Sequence, residues 1–385
     1  MNWQIVLTYS KILFYLALSV ILGVAVVSWL KIPLWLLIEL FLLGFFYILF
    51  FHRYKLVVVF GFCLIFLAFG MGRASLGALS IGEPPKPTAL GQIALVQDVF
   101  SSPQAELFSG ILFGGQQNLD YQWKQKMNLA GVRHITAVSG SNIVLLSQIL
   151  VWLGIALGLY RQWAVGGSAF LIWFYIFLIG SPPSAIRAGV MASLLLLAGA
   201  LGQPNRSQRT IVLAASVMLL IKPSLLRRDI GFQLSFLAVL GLIYLAPLLQ
   251  SWLVLKWKFL QRANLAQFLA INLAAWLFTL PLSVYYFGYF SLTSVMANIL
   301  ITPIIPVIML LGFLLLIVGF VYRPMAAVFV WPINLLLNYF LQIVDWLSPA
   351  VLAKWQLYFS KSILALNYIG LAFWVWLWRQ RKIKV

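Results

Sequence analysis

The strongest constraint on this chain is a succession of about a dozen uninterrupted apolar runs, most of them close to twenty residues long. A run of that length, coiled as a helix rising about 1.5 Å per residue, matches the ~30 Å hydrocarbon core of a bilayer. The runs fall near residues 12–30, 33–51, 56–72, 136–158, 164–180, 183–200, 209–222, 231–249, 266–286, 292–319, 326–345 and 362–378. Hydrophobic residues make up 63% of the 385 and charged residues 9%, which excludes a soluble globular domain. An outer-membrane barrel would need short alternating segments instead of continuous ones. The expected fold class is therefore all-α, a polytopic helical membrane protein with about 11–13 transmembrane spans plus interfacial amphipathic helices. The run at 292–319 contains Pro303 and Pro306, which predicts one kinked helix or two half-helices.

Three spans form an N-terminal membrane unit at 1–72, and the first is too long for a signal-peptide core, so it reads as retained. A polar linker at 73–105 follows, punctuated by Pro84, Pro85 and Pro87. The partly apolar segment at 106–133 reads as interfacial, and 106–385 forms one larger membrane domain. Lys and Arg total 26 against seven acids, for a net charge of +19. Loop composition favours both termini on the cytoplasmic side, because 202–209, 256–262 and the tail residues Arg379, Arg381, Lys382 and Lys384 then share one face. That orientation leaves Lys124, Lys126, Arg133, Arg187, Lys222, Arg227 and Arg228 outside, more positive charge than topology requires. An anionic partner would account for it.

Within the runs lie polar clusters that hydrocarbon would reject. The stretch 134–142 (HITAVSGSN) holds His134, Ser139, Gly140, Ser141 and Asn142. Its small residues suit either close helix packing or a local break lining a pathway. Arg187 stands just inside a helix that Pro182 and Pro183 should start. It either snorkels to headgroups or faces an aqueous path. In 227–235 (RRDIGFQLS), Asp229 reads as the N-cap of the next helix. Gly231 and Ser235 form a small-xxx-small face, and Gln233 points elsewhere. Asn298, close before Pro303, suits kink chemistry. On the expected orientation the spans starting near 136, 183 and 231 all begin outside, where their N-terminal dipoles favour anions.

Several function classes are excluded. There is no G-x-x-x-x-G-K-[ST] nucleotide loop. No G-x-S-x-G surrounds a serine, and no acid lies near His134 to orient it. Two isolated His and a single Cys63 build neither a zinc centre nor an internal disulfide. No cofactor is expected.

The order and spacing of these clusters resemble the competence domain of the ComEC/Rec2 family, which forms the inner-membrane channel of bacterial DNA uptake. The matching stretches are GVRHITAVSGSNIVLL (131–146), SPPSAIRAGVMASLLLLAG (181–199), KPSLLRRDIGFQLSFLAVLGL (222–242) and TLPLSVYYFGYFSLTSVMANILITPIIP (279–306). The resemblance implies a non-enzymatic channel for single-stranded DNA in the cytoplasmic membrane, in contact with membrane lipids and compatible with a homo-oligomer. His134, Ser139, Gly140, Asn142, Arg187, Gln233, Ser235 and Asn298 match the family's motif positions, and with Ser141, Arg227 and Arg228 they are expected along the DNA path. Pro182, Gly231, Phe232, Pro281, Pro303 and Pro306 become structural motif positions. Phe232, Phe236, Trp276, Tyr285 and Tyr286 are candidates to stack passing bases. Family members commonly add an OB-like domain and a metallo-β-lactamase-like domain. This sequence reads as a core without them, so a separate cytosolic ATPase and a separate nuclease are the expected partners. The runner-up is a secondary transporter or flippase of an anionic lipid-linked substrate, using the same outer basic vestibule. A scaffold in which every polar cluster is packing is the third reading.

Overall fold

The computed structural model describes residues 8–76, 96, 99–114, 119–136, 140–200, 207–257, 264–291, 293–348, 355–356 and 358–383. Three long helices open the chain: α1 (Tyr9–Trp29), α2 (Leu34–Phe50) and α3 (Lys55–Ser75). Two short ones follow, α4 (Gln104–Phe113) and α5 (Tyr121–Leu129), then a 3-10 turn at Arg133–Thr136. Next come α6 (Gly140–Ala156), α7 (Arg161–Leu178), α8 (Pro183–Ala200) and α9 (Ser207–Ile221). After them lie α10 (Leu225–Arg228), α11 (Ile230–Tyr244), α12 (Ala246–Lys256) and α13 (Leu265–Phe287). The last part holds α14 (Thr293–Ile301), α15 (Ile305–Val321), α16 (Arg323–Leu347) and α17 (Lys361–Ile383). One two-residue antiparallel ladder pairs β1 (Tyr289–Phe290) with β2 (Trp355–Gln356).

The protein is thus all-α and polytopic, with helices in every expected apolar run. Among the described residues, six spans are long and apolar enough to cross a bilayer, counting α14 with α15 as one, or seven if the bent pair α11–α12 is also one span. The remaining expected spans are helices of 15 to 18 residues, about 22–27 Å long, at or just below the lower limit for crossing. The run at 231–249 is not straight. It bends by 47° at the junction of α11 and α12, where Pro247 removes a helical donor. The run at 292–319 divides into α14 and α15 around a 3-10 turn at Thr302–Ile304, as Pro303 and Pro306 predict. Pro281, by contrast, sits buried inside α13 without ending it.

The chain forms two compact units: residues 1–84 with 190–236, and residues 85–189 with 237–385. Helices α8 and α11 each pass from one into the other. This grouping cuts across the division read from the sequence, because 190–236 joins the N-terminal spans.

In the first unit, glycines set the helix crossings. A Cβ on Gly44 would stand 2.6 Å from the Gly61 carbonyl oxygen, and one on Gly61 would stand 2.7 Å from that of Gly44. Helices α2 and α3 therefore touch backbone to backbone. Gly23 against Leu67 and Gly70 against Val20 do the same for α1 and α3, at 2.3 and 2.6 Å. Lipid tails are as apolar as leucine, so close approach and dispersion replace the hydrophobic effect here. Helices α9 and α11 join α1 through Val24, Ala215, Met218, Leu219 and Phe232.

The second unit is built around a helix the sequence reading placed at the interface. Leu107, Phe108, Ile111 and Leu112 of α4 are all 0% exposed. They pack among Ile301, Ile308, Ile333, Leu337 and Phe340. Gly312 of α15 makes room for them, since a Cβ there would lie 2.8 Å from Leu112 and 3.0 Å from the Phe108 ring. Within the 106–133 segment read as interfacial, α4 is too short to span a bilayer and is enclosed by α15 and α16. A second cluster joins α12, α13 and α17 through Leu245, Leu249, Ala270, Ala274 and Val375.

Candidate functional site

In the second unit, two of the sequence motifs are locked together by hydrogen bonds and a close backbone approach. Helix α5 ends at Leu129, and Gly131 turns the chain with φ +69. A Cβ on Gly131 would meet that of Ser294 at 2.2 Å, so only glycine fits on both steric and conformational grounds. Ser291 Oγ donates to the Leu129 carbonyl at 2.7 Å and lies 2.8 Å from Thr293 Oγ1. Ser294 Oγ donates to the Ser291 carbonyl at 2.7 Å. The 131–136 segment is thereby seated on the start of α14. Asn298 lies one turn further along α14, and its Oδ1 is buried with no hydrogen-bond partner among the described residues.

His134 sits in the 3-10 turn. The protein crowded around its ring lowers the imidazole pKa from its ordinary value, and a hydrogen bond to the Gly131 backbone opposes that shift. Beside the turn, Glu106, Lys124, Arg133 and Thr136 line a cavity of about 10 Å³, room for about one water molecule. The Oε2 atom of Glu106 is buried there without a hydrogen-bond partner among the described residues.

The start of α6 meets the start of α8. An ideal Cβ on Gly140 would lie 4.0 Å from Ala188 Cβ, ordinary contact next to Arg187. Asn142 is 3% exposed and Arg187 is half-buried. Pro182 accepts from the Ala185 and Ile186 amides through its carbonyl, and α8 begins at Pro183 as the sequence predicts. Ser139 lies outside the described residues, and of Ser141 only its place in α6 is described.

The RRDIGFQLS segment belongs to the first unit, and most of its polar atoms serve local structure. Asp229 Oδ1 accepts from the Phe232 amide at 2.8 Å, so it caps α11 as expected. Gln233 Nε2 donates to the carbonyls of Leu226 at 2.8 Å and Arg227 at 3.4 Å. Ser235 Oγ donates back to the Phe232 carbonyl at 3.1 Å. Arg227 donates to the Ser28 carbonyl at 3.1 Å and lies 5.5 Å above the Trp29 ring. It thus supplies positive charge to the C-terminus of α1, where the helix dipole favours a cation. Arg73 does the same for α9 through the Ile221 carbonyl at 2.8 Å. Arg228 is exposed, and Gly231 is half-buried. Phe232 is 3% exposed and packs on Phe236 with ring centroids 4.5 Å apart, so it is a core residue and not a stacking platform.

Sequence reasoning missed the polar edge of α16 and its partners. Gln104 Nε2 donates to Asn338 Oδ1 at 2.7 Å, and Lys126 Nζ pairs with Asp345 Oδ1 at 2.5 Å. The signal was present as Asn334, Asn338, Gln342 and Asp345, a polar recurrence at helical spacing. Among the described residues no three of His, Cys, Asp and Glu gather as a metal-ligand set.

A family model described as Competence protein matches residues 111–382. The chain is 34% identical over 176 residues to ComE operon protein 3 of Bacillus subtilis (strain 168). That alignment takes in 45% of this chain and 21% of the relative, so the chain matches about a fifth of that protein's length. No solved structure matches.

Proposed function

This chain belongs to the Competence protein family, and from that premise we propose that it forms the channel that passes one strand of incoming DNA across the bacterial cytoplasmic membrane. The observation that carries this reading is the packing of polar motif segments within one unit. Gly131 sits on Ser294, and Gly140 lies against the α8 turn that bears Arg187. These contacts support a path on which hydroxyls, amides and a guanidinium gather near the N-termini of α6 and α8, the ends of a helix that favour phosphate.

On this reading both termini are cytoplasmic, and the starts of α6 and α8 face outward. Lys124, Lys126, Arg133 and Arg187 attract the phosphate backbone at the outer mouth. Binding is therefore salt-sensitive, with log affinity falling by about 0.7 per neutralised phosphate for each tenfold rise in salt. The protein acts as a conduit and not as an enzyme. A separate cytosolic ATPase supplies the driving force, and a separate nuclease removes the second strand.

Deletion of the gene in a transformable host tests the proposal. Labelled DNA should no longer reach a nuclease-protected compartment, and the wild-type gene should restore entry. Undiminished entry in the deletion strain overturns the channel reading.

A further inference from the structure

Residues 327–347 of α16 are long and apolar enough to cross a membrane, with mean hydropathy 1.7. Yet Asn334, Asn338, Gln342 and Asp345 recur at steps of four, four and three residues. At about 100° per residue these steps keep all four within one edge of the helix roughly 80° wide. The opposite side carries Ile333, Leu337, Phe340 and Val344, each 0% exposed. Asn334, Gln342 and Asp345 are exposed, and Asn338 is half-buried. The edge begins at Asp345, beside the span's end, and reaches Asn334 near its middle, about 16 Å at 1.5 Å per residue.

Two further features border this edge. At its outer end the Lys126–Asp345 pair is 39% and 50% exposed, a degree of exposure that suits an ion pair in contact with water. Alongside, Tyr339 Oη donates at 3.5 Å to the carbonyl of Leu300, just before the 3-10 turn at Thr302–Ile304. Pro303 within that turn is exposed. Interrupted helix at membrane depth is tolerated where it is enclosed by protein or faces water.

We propose that this edge of α16 is the wall of a water-filled half-channel, open at the Lys126 end, along which the bases of a single DNA strand pass. The inference rests on the channel reading above and deepens it. Asn and Gln amides both donate and accept, so they serve the edge of any base. Trp331, Tyr339 and Trp346 lie exposed on the adjoining edge, where rings stack on bases regardless of sequence. Lys124, Lys126 and Arg133 at the mouth meet the phosphates. A second copy of the chain is the competing occupant, since amides also join membrane helices. The exposed ion pair and the exposed 3-10 turn favour water.

Cysteine accessibility decides it. In a Cys63→Ser background, Asn334→Cys and Gln342→Cys are compared with Leu366→Cys and Ile369→Cys, exposed apolar positions within the α17 span. A charged, membrane-impermeant thiosulfonate is added to sealed spheroplasts, with or without a single-stranded oligodeoxynucleotide. Because the thiolate forms in water, positions 334 and 342 should react at least about tenfold faster than the controls. The oligonucleotide should slow them and leave the controls unchanged. Reaction no faster than the controls overturns the half-channel, and reaction indifferent to the oligonucleotide overturns its role in carrying DNA. Spontaneous disulfide-linked dimers at 334 or 342 assign the edge to a second copy. DNA entry is measured for every variant: an unreactive edge in a strain that still takes up DNA removes this inference alone. Failure of the channel reading shows separately, as undiminished entry in the deletion strain.

Discussion

The two units solve the problem of polar groups in a membrane in opposite ways. In the first, polar and charged side chains close the helices they touch: Asp229 caps α11, Gln233 binds the end of α10, and Arg73 and Arg227 bind the ends of α9 and α1. The helices themselves meet through glycines. In the second, polar groups from α4, α5, α14 and α16 gather beside one another, and Glu106 and Asn298 keep buried oxygens without hydrogen-bond partners among the described residues. A basic residue in a membrane protein is therefore not by itself evidence of an anion path. What matters is whether a helix end already holds it.

The largest expected effect breaks the first unit. Gly44→Leu forces a side chain into the Gly61 carbonyl and should destabilise the α2–α3 contact by at least about 3 kcal/mol. Detergent-extracted protein would then show loss of the monodisperse species, while Gly166→Leu, where a Cβ meets nothing within 4 Å, should leave it intact. In the second unit, Gly131→Ala combines a left-handed backbone with a clash on Ser294, a penalty of about 3 kcal/mol. Ser294→Gly added to it should recover part of the lost melting temperature, because it removes the clash and leaves the backbone strain.

A smaller effect follows from pH. The folded-state pKa of His134 lies below that of the unfolded chain. As pH falls below about 6.5 the unfolded chain takes up a proton first, so stability declines. His134→Gln should flatten the pH dependence of thermal inactivation between about pH 7 and pH 5.5. An unchanged slope would show that the ring titrates alike in both states.

The sequence made visible whatever depends on neighbours along the chain. The Asp229 cap, the start of α8 at Pro183 and the break at Thr302–Ile304 all follow from local residue chemistry. The Gly23–Leu67 and Gly44–Gly61 contacts were hidden because they depend on the register between helices. The burial of α4 was hidden for a related reason: a ten-residue helix that mixes Gln104, Glu106 and Ser109 with apolar residues resembles an interfacial segment until α15 and α16 enclose it. Arg227 looked free because the α1 terminus it binds lies 199 residues away. The α16 edge was readable as Asn334, Asn338, Gln342 and Asp345, but the apolar total of the run masked its period.

One paired assay tests the contrast directly: DNA entry in a deletion strain carrying Arg187→Ala or Arg227→Gln at equal membrane abundance. On the proposed path Arg187 meets phosphate, so its loss should lower entry by about tenfold or more, equivalent to about 1.4 kcal/mol. Arg227 closes a helix end worth about 0.3–1 kcal/mol, so entry should stay within about twofold of wild type. Equal entry in the two strains, or a greater loss from Arg227→Gln, contradicts the division of labour between the units.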